Sequence, residues 1–133
     1  MSESENGRVV REIFEAFNRH DLDAVMNHLA DDVTAIWPDG TRRDRKGIRK
    51  ACAYLFEAFP DNRTRVDRMV SQGNTVVVEY IGVGTHKGEY LGIPATNKTY
   101  EMPIVWILDF EAGKVKLWKV YYNVQRLIQQ LRE

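Results

Sequence analysis

Apolar residues in the first half of the chain recur at the spacing of an α-helix. The pattern predicts an amphipathic helix from about Arg8 to Arg19, preceded by a flexible tail at residues 1–7. Asp21 is placed to cap a second, short helix. A third helix ends before Pro60, and its inward face is the clearest pattern in the sequence. That face comprises Ile48, Ala51, Cys52, Leu55, Phe56 and Phe59.

The second half of the chain changes to the alternating and β-branched patterns that are typical of strands. A short strand at Val33–Trp37 precedes the third helix, and an amphipathic segment at Val124–Leu131 follows the last strand. The later strands are predicted at Arg65–Val70, Thr75–His86, Tyr100–Phe110 and Lys114–Tyr122. Three helices followed by long strands predict an α+β fold. The expected fold is cone-shaped. A curved antiparallel sheet packs against the three N-terminal helices, and a pocket lies between the sheet and the helices.

Composition and charge exclude several classes of protein. Nineteen basic and nineteen acidic side chains give no net charge, which argues against nucleic-acid or membrane-surface binding. No apolar run approaches the roughly 20 residues that span a bilayer, and the acidic first residues are unlike a signal peptide. The single cysteine cannot form an internal disulfide. We therefore expect a soluble cytoplasmic domain of residues 8–133.

The sequence predicts neither a metal ion nor a cofactor. His20, His28 and His86 have no carboxylate or thiol at metal-ligand spacing. The glycines near residues 82–88 have the wrong spacing for a dinucleotide loop, and no helix follows them.

Four segments carry a resemblance to a known family. They are Ala30–Thr34, Phe59–Asp61, Gly84–Thr96 and Gln129–Leu131. In this order the chain resembles the SnoaL-like polyketide cyclases, a family of the nuclear transport factor two-like superfamily that also holds ketosteroid isomerases and limonene epoxide hydrolases. The resemblance covers nearly the whole chain and implies the same cone-shaped fold. It implies no single activity, since this fold carries many chemistries as well as binding modules.

The carboxylates that these relatives use are each replaced in this sequence. Where the isomerases have their catalytic base, the resemblance places Trp37, and it places Val105 at their oxyanion-hole aspartate. The epoxide hydrolase aspartate corresponds to Val120. The aspartate of the cyclase-like branch corresponds to Asn123, which can donate a hydrogen bond but cannot act as a general acid or base near neutral pH.

An assumed strand register provides a set of pocket residues. If the chain between the two longest strands turns near Leu91, Tyr80 lies opposite Val105, and His86 is a diagonal neighbour of Glu101. The expected polar or catalytic groups are then His86, Glu101, Asn123 and Tyr80. The expected substrate-binding residues are Trp37, Asp39, Val105, Trp118, Val120 and Tyr122. Such a wall is typical of a pocket for a hydrophobic small molecule.

Structural roles remain open for the same residues. The aromatic residues fit a core as well as a pocket. His86 and Glu101 also fit a structural histidine and a solvated charge at the rim. Asn123 directly precedes an amphipathic stretch, so it is equally suited to cap a helix.

Basic residues cluster at the start of the third helix, where the helix dipole disfavours positive charge. They include Arg42, Arg43, Arg45 and Lys46. A solvated face explains them, and so does contact with a phosphate or an acyl carrier protein.

Two function hypotheses follow. The first is a cofactor-independent enzyme that cyclises, isomerises or dehydrates a polyketide-like or terpenoid carbonyl compound, with His86 and Glu101 as the acid–base pair. The second is a non-catalytic ligand-binding or dimerisation domain on the same scaffold.

A homodimer is also predicted, through a sheet face formed by Met102, Ile104, Trp106 and Leu108.

Overall fold

A computed structural model describes residues 4–133 and has the predicted α+β architecture. The helices are α1 (Glu5–Asn18), α2 (Leu22–Asn27), α3 (Arg45–Ala58) and α4 (Val124–Arg132). The strands are β1 (Leu29–Ile36), β2 (Arg42–Arg43), β3 (Arg63–Gln72), β4 (Thr75–Thr85), β5 (Thr99–Glu111) and β6 (Lys114–Tyr121). No helix among residues 4–133 is long and apolar enough to cross a membrane.

Short polar side chains begin the helices. Asp21 accepts a hydrogen bond from the Ala24 backbone as the cap of α2, as predicted. Helix α1 begins at Glu5 rather than Arg8, because the Ser4 hydroxyl accepts a hydrogen bond from the Gly7 N–H at 3.0 Å. The rest of the expected tail, residues 1–3, lies outside the described residues.

The six strands form one sheet in the order β2-β1-β6-β5-β4-β3. Every neighbouring pair is antiparallel except β1 and β6, which are parallel. One face of this sheet packs against α1, α2 and α3 around a core of aliphatic and aromatic side chains. Trp106 lies at its centre, with ring contacts to Phe14, Phe17, Tyr80 and Trp118.

The assumed register between β4 and β5 is wrong by one residue. Tyr80 pairs with Ile104, not with Val105, and Gly84 pairs with Tyr100 rather than Glu101. Because side chains alternate between the two faces, this single step exchanges every residue of β5 between them. The row that contains Met102, Ile104, Trp106 and Leu108 faces the helices, so it cannot form the predicted dimer face.

The connection between β4 and β5 contacts α3. The expected turn at Leu91 is present, since the Tyr90 N–H and the Ile93 carbonyl are hydrogen-bonded. However, the backbone N–H groups of Lys87 and Gly88 both donate to the Ala58 carbonyl at the end of α3. The connection from β4 to β5 therefore docks on a helix that is distant in sequence, a contact that no local pattern of the strands predicts.

Candidate functional site

An apolar cavity of about 90 Å³ lies between α3 and the inner face of the sheet. Its walls come from α3 and from the inward residues of β4, β5 and β6, most of them aromatic or aliphatic. Gly82 contributes to the free space because it has no side chain. A Cβ at this position would lie in ordinary contact, 3.4 Å from both Tyr100 and Ile104, and would occupy part of the cavity. A cavity of roughly 150 Å³ can hold a benzene ring. A ligand larger than a fragment must therefore extend beyond this cavity.

A wider opening of about 430 Å³, here called the mouth, adjoins the cavity. Trp37, Ala51, Tyr90 and Tyr122 line both spaces, so the mouth lies directly beside the cavity. The mouth differs from the cavity in chemistry, since it carries the charged side chains Asp39, Arg43 and Lys50. Together they form an apolar interior with a charged entrance.

Asn62 and Tyr100 supply polar groups at the inner wall. The Asn62 Nδ2 donates to the Tyr100 hydroxyl oxygen at 2.5 Å, which leaves the hydroxyl proton of Tyr100 free to donate elsewhere. The Asn62 Oδ1 is buried and has no hydrogen-bond partner among the described residues. An unmade hydrogen bond of this kind costs about 1–3 kcal/mol. A bound ligand can recover this cost if it supplies the missing partner.

Trp118 contributes a second unpaired polar group, a donor, to the same cavity. Its Nε1 is buried without a partner among residues 4–133, while its ring packs against Trp106 at 4.7 Å. Trp118 and Asn62 both line the cavity, so the unpaired donor and the unpaired acceptor belong to two residues of the same wall. A ligand with one carbonyl and one hydroxyl group matches this pair.

The ionisable groups of the cavity stay protonated near neutral pH. Burial raises the pKa of Tyr80 well above its ordinary value, more than its hydrogen bond with Trp106 lowers it. Burial likewise raises the pKa values of Tyr90 and Tyr100, and it raises the pKa of the Cys52 thiol to about 12. These groups can donate hydrogen bonds to a developing oxyanion, but none of them supplies a base.

Asp39 is the only carboxylate among the described residues that line the cavity or its mouth. Its Oδ1 accepts a hydrogen bond from the Thr41 N–H at 2.9 Å, and this bond lowers the pKa of the carboxyl. Asp39 is therefore anionic at neutral pH and can accept a proton from a ligand in the mouth.

Arg43 is held against Trp37 at the same entrance, with its guanidinium carbon 4.5 Å from the ring centroid. Its Nη1 is buried and has no hydrogen-bond partner among the described residues. Thus the mouth also contains a positioned cation with an unused donor.

Six of the residues expected at a pocket lie at this site. Five of them line the cavity itself: Trp37, Tyr80, Trp118, Val120 and Tyr122. Asp39 lies at the mouth. The alternation of side chains along β4 and β6 and the chain that follows β1 place these residues, so their positions do not depend on the register of β5.

The expected pairing of His86 with Glu101 is wrong. His86 is fully buried, its Nδ1 lies 2.9 Å from the Thr96 hydroxyl, and its ring stacks on Phe59. Glu101 is exposed on the opposite face of the sheet, beside α4. Val105 also lies on that outer face, opposite Tyr121. The one-residue change of register places Glu101 and Val105 outside the cavity, whereas His86 is buried behind Phe59, beyond the end of β4.

Asn123 caps helix α4, which is one of the two alternatives that the sequence left open. Its Oδ1 accepts a hydrogen bond from the Arg126 N–H at 3.0 Å, and the residue is exposed. It lines neither the cavity nor the mouth.

The basic cluster does not converge on one point. Arg45 donates to the Leu29 carbonyl at 2.9 Å, while Arg42 and Lys46 are exposed. Of the four residues only Arg43 lines the mouth.

Asn62 and Tyr100 are site residues that the sequence pattern does not identify. Asn62 follows Pro60 in a predicted turn, and Tyr100 is the first residue of a predicted strand. The sequence does carry one signal for Tyr100. The row from Tyr100 to Phe110 in steps of two contains only large apolar residues, whereas the alternate row contains Glu101, Asp109 and Glu111. Nothing local indicates that the Asn62 side chain is buried.

Comparisons with known proteins agree with the fold. A family model described as SnoaL-like polyketide cyclase matches residues 7–131. No curated protein is significantly similar in sequence to the chain. A SnoaL-like protein from Jannaschia sp. CCS1, described as a candidate polyketide cyclase, superposes with a TM-score of 0.91 at 19% identity, covering 98% of this chain and 96% of that one.

Two further solved structures show that similar folds carry different assignments. AclR of Streptomyces galilaeus, a candidate hydroxylase, has a TM-score of 0.89 at 24% identity, with 98% of each chain covered. A candidate polyketide cyclase of Xanthomonas campestris pv. campestris has a TM-score of 0.84 at 26% identity, with 96% of each chain covered.

The cap at Asn123 predicts a stability effect without a binding effect. Asn123→Ala removes the acceptor for the Arg126 N–H and should lower the free energy of unfolding by about 1 kcal/mol, measured by urea denaturation. Asn123→Asp keeps an acceptor at the helix N-terminus and should preserve stability. If Asn123→Ala unfolds at the same urea concentration as the wild type, the cap has no energetic role.

Proposed function

Because the chain belongs to the SnoaL-like polyketide cyclase family, we propose that it catalyses a cofactor-independent cyclisation, isomerisation or dehydration of a polyketide-like or terpenoid carbonyl compound. One observation carries the proposal: the Asn62 Oδ1 and the Trp118 Nε1 are unpaired polar atoms of residues that line an otherwise apolar cavity. A hydrophobic molecule with oxygen substituents satisfies both.

The ligand oxygen is the group that the site would stabilise. Tyr100 has a free hydroxyl proton, and Trp118 has a free N–H, so both can donate to a carbonyl oxygen as it becomes an enolate. Donors fixed in an apolar site act strongly on a developing charge because they need no reorganisation. Tyr80 adds a third protonated group to the same wall.

Asp39 is proposed as the proton acceptor in place of His86 and Glu101. It would remove a proton from the carbon between two carbonyl groups, leaving an enolate. The enolate carbon would attack a third carbonyl, elsewhere in the same molecule, forming one carbon–carbon bond and an alkoxide. The proton then returns to the new alkoxide, so the reaction is balanced without an oxidant or reductant. A carboxylate with a lowered pKa is a weak base, which favours the acidic C–H of a 1,3-dicarbonyl compound.

A second candidate is a binding module without catalysis. It is favoured by the absence of any carboxylate or imidazole from the described residues that line the inner cavity. The two candidates share the ligand and differ in the role of Asp39, so binding and proton transfer must be measured separately.

The hydroxyl of Tyr100 should contribute to ligand binding. Using an aryl 1,3-diketone such as benzoylacetone, we expect Tyr100→Phe to weaken binding by about 0.5–1.5 kcal/mol, or roughly two- to twelvefold, by titration calorimetry. Tyr121→Phe is the matched control, because Tyr121 is exposed on the outer face of the sheet. Equal affinities of Tyr100→Phe and wild type would contradict the proposed site.

Asp39 should be needed for proton transfer but not for binding. The rate of deuterium exchange at the central carbon of the same diketone, followed by NMR above the buffer rate, should fall on the order of 10²–10⁴-fold in Asp39→Asn. Asp31→Asn, at an exposed aspartate, is the control.

The same exchange reaction should also depend on pH. Because the hydrogen bond from Thr41 lowers the pKa of Asp39, the wild-type rate should be constant near neutral pH and fall only as acid protonates this carboxylate. Binding without exchange in the wild type would favour the binding module.

We also propose a twofold homodimer through the outer face of the sheet. Ile81, Val83, Val105 and Ile107 are only partly buried there, and Val83 is 37% exposed. An open apolar face of this kind is typical of an interface. Val105→Arg should convert a dimer to a monomer in sedimentation equilibrium at micromolar concentration, and a monomeric wild type would contradict the proposal.

A further inference from the structure

We propose that the mouth recognises a carboxylate group of the ligand, bound by Arg43 with help from Lys50. The inference rests on the proposed function, since it specifies the class of molecule that enters the same cavity. It concerns the entrance rather than the inner wall, so it can fail while the cavity still binds ligand.

The state of Arg43 is the main evidence. Its guanidinium lies over Trp37, and its buried Nη1 has no hydrogen-bond partner among the described residues. Its positive charge contributes to the lowered pKa of Asp39, but no contact short enough for an ion pair joins the two side chains. Stacking fixes the plane of the guanidinium but uses none of its N–H donors, and one nitrogen is already shielded from solvent. A positioned guanidinium with free donors is suited to a two-point contact with a planar anion.

The neighbouring cations are engaged differently. Arg45 donates to the Leu29 carbonyl at 2.9 Å, and Arg49 pairs with Asp23 at 2.8 Å. Lys50 lies on α3 and lines the same mouth as Arg43, and it has no ion pair among residues 4–133. Arg43 and Lys50 are therefore the cations that a ligand in the mouth can use.

The charge of the mouth matches a monoanion. Arg43 and Lys50 contribute two positive charges, and Asp39 contributes one negative charge that is already hydrogen-bonded to the Thr41 backbone. A ligand carboxylate balances the remaining positive charge, whereas a phosphate dianion adds one charge too many beside Asp39. The trigonal shape of a carboxylate also matches the fork of Arg43.

The position of Trp37 connects the two parts of the site. Trp37 lines both the cavity and the mouth, and it carries Arg43 on its ring. An acid group held by Arg43 therefore lies at the entrance while an attached ring system reaches toward Asn62 and Trp118. The structure favours aryl acids in which a short linker separates the ring from the carboxylate.

Three probes with the same single phenyl ring test the proposal: phenylacetate, phenylacetamide and phenyl phosphate. Affinities are measured by titration calorimetry on the full chain and on Arg43→Gln, Arg43→Lys and Arg42→Gln. Arg42 is exposed next to Arg43 and does not line the mouth, so Arg42→Gln is the matched control. Melting temperatures without ligand establish that each variant is folded.

We expect wild type to bind the acetate at least tenfold more tightly than the amide, and Arg43→Gln to make the two affinities equal while amide binding stays unchanged. Arg43→Lys should keep part of the preference, and Arg42→Gln all of it. Equal affinities of wild type for the acid and the amide overturn the inference but do not contradict ligand binding in the cavity.

An equal loss of affinity for the acid and the amide in Arg43→Gln overturns the inference as well, because Arg43 would then act only by supporting Trp37. Tighter binding of the phosphate assigns the mouth to phosphate instead, and a failure of all three probes contradicts the proposed function itself.

Discussion

The pairing of β4 with β5 is the constraint on which the rest of the structure depends. At the observed register Tyr80 lies opposite Ile104, and Trp106 enters the core, where it contacts aromatic rings from α1, β4 and β6. A shift by one residue would place Glu101 and Asp109 under the helices without charged partners, which is far costlier than any local change of turn. The fold is therefore specified by what β5 must bury.

The same packing leaves the cavity as an unfilled part of the core. Phe59 and Tyr100 pack directly on Gly84, where a Cβ would lie 3.0 Å from Phe59 and 2.9 Å from Tyr100. At Gly82, by contrast, space remains beside Ile104. Polar atoms of Asn62 and Trp118 remain unpaired around this space. A core selected for stability alone would fill the space and pair these atoms, because each unpaired polar atom lowers the free energy of unfolding. Their retention is consistent with a site that a ligand completes.

Neutral and charged groups are separated along the depth of the site. Protonated phenols and an indole N–H lie inside, where burial keeps them neutral, while the anion Asp39 and the cation Arg43 lie at the entrance, where water still reaches them. This division follows from the cost of burying charge, since an ionised group in the inner cavity would need a partner that the apolar walls do not offer.

The sequence by itself determined the helices, five of the six strands, the α+β class and the side-chain alternation on β6; the two-residue strand β2 was not predicted. These depend on local periodicity, so the pattern alone assigns Trp118, Val120 and Tyr122 to one wall. Only the tertiary structure decided the faces of β5, the burial of Asn62 and the separation of His86 from Glu101. The reason is physical: an alternating strand is compatible with either face until the register with its partner is known. Asn123 illustrates the same limit, because a helix cap and a ligand contact require the same side chain and only its position relative to the cavity distinguishes them.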